Sequence, residues 1–396
     1  MVSLFLIFSG SGCDGASSEL PIEPTIPACL VDADGDGFGD PGVPAPCGQG
    51  IERGGDCDDG DPAVNPEGIE VCNGIDDDCD GAIDQDDDPY VCGLCPDVSE
   101  LQEATFEWQI LRPCDLDPRM SHCDDRIHQF VQRTDGYPLR DELLLFLPPG
   151  PGTLNYTLLQ WGALAGYRVI SLGWANDDFV AACAPDEVCL DNGRWELLYG
   201  EDRSDVIDLE PYDALAPRLY SLLTHLDTVR PEEGWGRYYD DEGVRWEEIV
   251  VFGWSFGAGQ AAYLAGKNRV DGLILLSGPQ ELVWPPLRPP AWIFEPRETP
   301  VCAQWGLYHA EEAWLAGIDT IAPSLRGMGL VGTADVDTSS PPYDNAQILT
   351  TASSNFLRDD CSNHSAVAMD GCMDPALLET YLYLFCTAAQ VDDCGP

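Results

Sequence analysis

The sequence predicts an α/β domain built on a mostly parallel central sheet, preceded by a small module rich in acid and cysteine. Three observations carry this. First, composition changes near residue 97: positions 29–97 are dominated by Asp, Gly and Cys, whereas 98–396 alternate apolar runs with amphipathic stretches. Second, those apolar runs have strand length and are followed by segments of helical spacing, an order that implies crossover connections and parallel neighbours. Third, the chain carries 17 cysteines, a liability in a reducing cytosol but a disulfide framework in an oxidising compartment. At 396 residues there is room for two domains, one with a substantial core.

The first segment, 1–13, holds an apolar run from Val2 to Phe8 followed by "SGSGC". It resembles a shortened lipoprotein signal ending at Cys13, although no Lys or Arg precedes the run. An ordinary secretory signal is the other reading, and either one implies export, to the cell surface or periplasm as a lipoprotein or to the outside. Positions 14–28 form a linker, because the closely spaced prolines of "SSELPIEPTIP" suit neither helix nor sheet interior. No later segment has the ~20 uninterrupted apolar residues of a membrane helix, so a lipid anchor is the expected membrane attachment. With 70 acidic against 19 basic residues and a net charge of −51, nucleic acid is excluded as a partner and cations are expected.

The module at 29–97 is poor in large apolar residues and cannot fold on hydrophobic burial alone. Within it, D-x-D-x-D-G-x-x-D occurs twice, as Asp32, Asp34, Asp36 and Asp40, and as Asp76, Asp78, Asp80 and Asp84. Alternate carboxylates on a loop curling at a glycine converge hard oxygens on one point, as Ca²⁺ requires. An EF-hand would need Glu at position twelve, where the first loop has Val43, so a helix-free calcium loop is expected. Asp56, Asp58, Asp59 and Asp61, between the copies, are further candidate ligands. The stretch from Cys29 to Asp86, with "DADGDGFGD", "GGDCDDGDPAVNP" and "EVCNGIDDDCDGAID", resembles a metal-binding repeat of secreted bacterial proteins. That resemblance implies disulfides Cys47–Cys57 and Cys72–Cys79. Cys183 with Cys189, and Cys386 with Cys394, are close enough in sequence for local bridges.

Beyond residue 98, "ELLLFL" (142–147) reads as a buried strand, "LNYTLLQWGALA" (154–165) as a helix and "YRVISLGW" as a strand. A helix over 212–226, the strand ending in "EEIVVFGW", the helix "GAGQAAYLAGK" and the strand "VDGLILLSGP" follow. "VCAQWGLYH" reads as a further strand and "DPALLETYLYLFC" as the last helix. Strands apolar on both faces belong at the centre of such a sheet.

Ser255 sits where the strand stops, in "GWSFG". G-x-S-x-G alone is a weak signal, but strand, glycine-flanked turn and helix together are what a nucleophile elbow demands. A serine hydroxyl needs a base. In the order serine, acid, histidine, the candidates are His364, in "CSNHSAVAMD", and His309, at the end of a strand and better placed to announce the acid. Glu312 is the preferred acid, Glu311 the next, and Asp335, Asp337 and Asp344 are further candidates. The oxyanion needs two backbone donors: the Phe256 amide, and Gly150, Gly152 or Thr153 from "PPGPGT", since Pro149 and Pro151 have no N–H.

Over Leu143 to Met369 the chain resembles α/β-hydrolases, specifically a poorly characterised secreted bacterial branch, through "LFLPPG", "AGYRVISLGWAN", "RPEEGWGRYYDDEGVRWEEIVVFGWSFGAGQAAYLAGKNRVDGLILLSGPQE" and "NHSAVAMD". Members usually read G-H-S-Q-G at the elbow. Here Trp254 stands at a position expected to underlie no catalytic step, and Phe256 replaces a polar side chain beside the nucleophile. The resemblance implies the hydrolase fold and a Ser255–His364–Glu312 triad. The expected function is an exported serine hydrolase of carboxylic esters, small or polymeric, needing no cofactor for catalysis and carried behind a module stabilised by structural Ca²⁺. The alternative is a calcium-binding surface or adhesive protein with a catalytically silent hydrolase-like domain; a peptidase or amidase is a third reading within the fold.

Overall fold

In a computed structural model, the described residues are 29–46, 48, 50–68, 76–79, 96, 98–121, 123, 126–150, 155–175, 180–183, 185–281, 283, 287–313 and 318–388. They divide into two compact units, one comprising the described residues up to Gly68 with Asp78 and Cys79, the other the remainder.

The first unit has little regular structure. Strand β1 (Cys29–Leu30) pairs antiparallel with β2 (Pro44–Ala45), and Leu30 bridges to Ile51. Its buried apolar side chains are few, Cys29, Phe38 and Val64. Side-chain carboxylates do what a core does elsewhere: Asp32, Asp34, Asp36, Asp40, Asp56 and Asp61 each accept a hydrogen bond from a backbone N–H two or three residues ahead. These local Asx-type bonds fold the loops without burying apolar surface. A disulfide joins Cys57 to Cys79. This corrects the expected pairs Cys47–Cys57 and Cys72–Cys79, because each cysteine can make one bridge; Cys47 and Cys72 lie outside the described residues.

The second unit is a layered α/β structure. In chain order it contains β3 (Phe106–Leu111), α1 (Pro113–Leu116), β4 (His128–Arg133), β5 (Leu143–Leu147), α2 (Tyr156–Leu164), β6 (Arg168–Ser171), α3 (Val180–Cys183), α4 (Glu187–Tyr199) and α5 (Leu215–Val229). A two-residue hairpin of β7 (Tyr239–Asp240) and β8 (Gly243–Val244) follows, then β9 (Ile249–Trp254), α6 (Phe256–Lys267), β10 (Gly272–Leu276), β11 (Gln304–His309), α7 (Ile318–Gly327), β12 (Ala334–Asp335), β13 (Ile348–Thr351) and α8 (Leu377–Ala388). Nine strands form one sheet in the order β12-β13-β11-β10-β9-β5-β6-β4-β3. All neighbours are parallel except β3 with β4 and β4 with β6.

The centre of this sheet is apolar on both faces for a visible reason. Leu143, Leu145 and Leu147 of β5, Ile249 and Val251 of β9, and Leu273 and Leu275 of β10 enter one core with α4, α5 and α6. Leu144, Phe146, Val250, Phe252, Ile274 and Leu276 enter the other with α2 and α8. The period of two along each strand therefore feeds two separate helical layers, which is why these segments read as unbroken apolar runs. The antiparallel strands β3 and β4 and helix α4 were not predicted; the disulfides Cys114–Cys123 and Cys361–Cys372 are likewise additional, while Cys183–Cys189 pairs as expected. Cys386 is disulfide-bonded, and its expected partner Cys394 lies outside the described residues. Among the described residues no helix is long and apolar enough to cross a membrane.

Candidate active site

The site is assembled at the carboxyl ends of the parallel strands, where open α/β sheets place their crevices. Strand β9 ends at Trp254, α6 begins at Phe256, and Ser255 alone makes the turn between them, with φ 57° and ψ −116°. A non-glycine residue held in this region is strained by about 1–3 kcal/mol and persists only where its surroundings impose it. The surroundings here are two glycines. A Cβ at Gly253 would lie 2.4 Å from the carbonyl oxygen of Gly257, and one at Gly257 would lie 1.9 Å from that of Leu147. Backbone passes so close on both sides of the serine that side chains there have no room. Gly257 also brings the end of β5, and so the loop Pro148–Gly150, against the elbow.

Ser255 is partly exposed, and its Oγ lies 2.7 Å from Nε2 of His364. Nδ1 of the same imidazole lies 3.0 Å from Oε2 of Glu312, whose carboxylate is fully buried. The three residues are far apart in sequence and come from the ends of β9, β11 and the segment after β13. Glu312 follows β11 in a turn organised by His309: the Glu312 amide donates to the His309 carbonyl and the Glu311 amide to its Nδ1, each at 3.0 Å. His309 thus shapes the acid turn, and Glu311 presents its carbonyl to Asn363. Asp335 bonds the turn at 337–339, Asp337 bonds Thr351 and Ala352, and Asp344 is exposed.

Several supporting residues escaped the sequence reading. Trp254, at a position expected to underlie no catalytic step, donates its indole N–H to the carbonyl of His364 at 3.1 Å and so holds the histidine loop. The disulfide Cys361–Cys372 closes that loop around His364. The Gln280 amide lies 3.4 Å from His364 Nδ1, and its own oxygen is buried without a partner.

Phe256 is clamped rather than loose. Its ring stacks parallel on Trp174 at 5.8 Å, and the Arg194 guanidinium lies 4.4 Å over it. Arg194 is paired with Glu281 in full burial, Glu281 accepts from the Trp292 indole at 3.0 Å, and Trp174 donates to the Pro148 carbonyl at 3.2 Å. A Cβ at Gly259 would meet Arg194 at 2.5 Å and Glu281 at 2.8 Å, so the third glycine of the elbow makes room for this ion pair. Phe256 opens α6, where the amides point along the positive end of the helix dipole. Gly150 is in the adjoining loop, while Gly152 and Thr153 lie outside the described residues. A separate cavity of about 780 Å³, lined in part by Tyr199, Tyr212 and Tyr220, includes none of the triad.

The acidic module brings carboxylates together in two groups, Asp32 with Asp34 and Asp36, and Asp34 with Asp56 and Asp59; within each, one oxygen per residue lies within 4.8 Å of the others. Asp40 of the first repeat is in neither. Asp76 and Asp78 of the second repeat are described but form no such group among the described residues; Asp80 and Asp84 lie outside them. Burial, and after it the charges of Asp36, Asp34 and Asp59, push the Asp56 carboxyl above its ordinary value. Buried carboxylates without cationic partners fit a bound cation.

Comparison with known proteins adds two findings. A family model described as "Putative metal-binding motif" matches residues 56–85, which covers the second acidic repeat and leaves out the first. No curated protein matches the chain. Among solved structures it is similar to esterase B of Lactobacillus rhamnosis inhibited by a tributyrin phosphonate, at 13% identity and a TM-score of 0.24. The alignment covers 43% of this chain and 48%, about half, of that one.

Proposed function

We propose that the α/β unit is a serine hydrolase of the α/β-hydrolase type, acting on carboxylic esters, exported and carried with a calcium-stabilised module. The observation that carries this reading is the hydrogen-bonded chain from Ser255 through His364 to Glu312, at 2.7 and 3.0 Å, on a partly exposed serine in a strained turn. His364 Nε2 takes the proton as Ser255 Oγ attacks the ester carbonyl, and Glu312 holds the Nδ1–H tautomer and balances the imidazolium. The Phe256 amide, with Gly150 or Gly152, receives the oxyanion. Collapse of the tetrahedral adduct expels the alcohol, which leaves with the proton from His364; water then reverses the sequence to free the acid. The aromatic wall of Trp174 and Phe256 favours an apolar acyl group.

For the module, calcium suits the donors. They are carboxylate oxygens, and positions 29–97 contain neither His nor Met, so a hard divalent cation fits better than a soft metal such as copper. This metal is structural. Disulfides in both units support export, as a lipoprotein attached at Cys13 or through an ordinary secretory signal.

A series of p-nitrophenyl esters of graded acyl length tests the enzymatic reading. Hydrolysis by the wild type that disappears in Ser255→Ala supports it, and the acyl length with the highest kcat/KM sizes the pocket. A folded protein that turns over no ester in the series contradicts it; hydrolysis of p-nitroanilides in preference would move it to the amidases.

A further inference from the structure

The two acidic segments of the module are 20 or more residues apart, yet they supply carboxylates to one place. Asp34 belongs to the first repeat, Asp56 and Asp59 to the "DCDD" segment, and a carboxylate oxygen of each lies within 4.8 Å of the others. How each is held is informative. Oδ1 of Asp34 accepts from the Asp36 amide, Oδ1 of Asp56 from the Asp58 amide, and Oδ1 of Asp59 reaches across to the Ala33 amide at 2.8 Å. One oxygen of each residue thus fixes the loops.

The other oxygens are the second observation. Asp56 is 2% exposed, and its Oδ2 has no hydrogen-bond partner; Oδ2 of Asp34 and of Asp36 are buried in the same condition. A nearly fully buried carboxylate oxygen facing two like charges is among the costliest arrangements in a folded chain unless a cation sits between them. Oxygens within 4.8 Å of one another can share an ion at the 2.3–2.6 Å typical of calcium.

We propose that Asp34, Asp56 and Asp59 form one composite site for a hard divalent cation, clasping the first acidic loop to the segment at 56–61, rather than each repeat binding its own ion independently. The proposal rests on the reading of the module as cation-binding. It assigns Asp56, outside both repeats, as the central ligand, and it places the clasp beside the Cys57–Cys79 bridge, so that metal and disulfide close the same segment.

Calcium titration of the full-length protein by calorimetry tests it, with Asp56→Asn, Asp59→Asn, Asp32→Asn and Asp61→Asn. Asparagine keeps the shape and removes a like charge, so the metal-free module should fold at least as well. Asp56→Asn and Asp59→Asn should each weaken calcium by at least about tenfold, the lower end of what losing even an outer partner of a metal site costs; exposed Asp61→Asn should leave it unchanged. Unchanged affinity in Asp56→Asn and Asp59→Asn, with loss in Asp32→Asn, would overturn the composite site in favour of a self-contained first loop. A wild type that binds no calcium would overturn the cation reading of the module itself, and the composite site with it.

Discussion

The two units treat buried charge in opposite ways. In the α/β unit it is paired: Arg194 with Glu281, and Arg218 with Asp213, all four side chains almost wholly buried. Burial pushes the Asp213 carboxyl up, but hydrogen bonds from Ser121 and the charge of Arg218 outweigh it and hold it below the usual carboxylate value. In the acidic module, Asp34, Asp36 and Asp56 each bury a carboxylate oxygen with no hydrogen-bond partner, and carboxylates converge in two groups, Asp32 with Asp34 and Asp36, and Asp34 with Asp56 and Asp59. Paired charge inside an apolar domain is structural; converging anionic oxygens in a unit whose described residues bury few apolar side chains suit a cation. The serine site uses the first kind of order, because Arg194, paired with Glu281, lies over the ring of Phe256 beside Ser255.

This contrast can be broken at several points. The largest effect is expected at the elbow: Ser255→Ala should lower ester hydrolysis by about a thousandfold or more, measured as kcat/KM, while leaving the unfolding curve in place. Next is the buried pair. Arg194→Met strands Glu281 without its cation and should destabilise the α/β unit by about 3–5 kcal/mol in urea unfolding; a loss under 1 kcal/mol would mean the pair is not structural. Removing the metal comes third. At calcium a hundredfold above its Kd the module gains about 2.7 kcal/mol, so chelation should expose 29–97 to protease. All 11 tryptophans lie beyond residue 98, so their unfolding signal should not move. Protease resistance unaltered by chelator would remove the distinction between the units.

Smaller effects sharpen the picture. Trp254→Phe keeps the aromatic body and deletes the bond to the His364 carbonyl, about 1 kcal/mol. A kcat roughly fivefold lower at constant KM is expected, and a change in stability alone would make Trp254 merely a packing residue. His128, fully buried, has its imidazole pushed down to about 3, by burial first and then by Arg218. Below about 6.5 the unfolded chain therefore binds a proton that the native one does not, and stability should fall as pH drops from 6.5 toward 3, by up to about 1.4 kcal/mol per pH unit. His128→Asn should flatten that part of the tryptophan-monitored profile.

The legible parts of the sequence were those where one physical signal dominates. Strands β5, β9 and β10 are buried on both faces and announce themselves as apolar runs; the Gly253–Ser255–Gly257 corner announces a cramped turn. The serine, histidine and acid that meet at the site were all singled out from the order and position of "GWSFG", "NHS" and "YHAEE". What escaped was set by contacts between distant residues. Helix α4 buries Arg194 and Glu196 on the face that packs, which blurs its apolar stripe. Strand β3 leaves Trp108 and Ile110 exposed and reads as mixed. The support of His364 by Trp254, the Cys57–Cys79 bridge and the meeting of Asp34 with Asp56 join segments whose proximity no local spacing reveals. In the acidic module the Asp periodicity is legible, but which aspartates converge depends on how two loops fold together.

The role of Ser255 is tested most directly by treating the folded, calcium-loaded protein with a fluorophosphonate and mapping the adduct by mass spectrometry. A single phosphonylated peptide carrying Ser255 is expected, formed rapidly in the wild type, slowly in His364→Ala and not at all in Ser255→Ala. A folded wild type that stays unlabelled, or an adduct on any other residue with Ser255 untouched, would contradict that role.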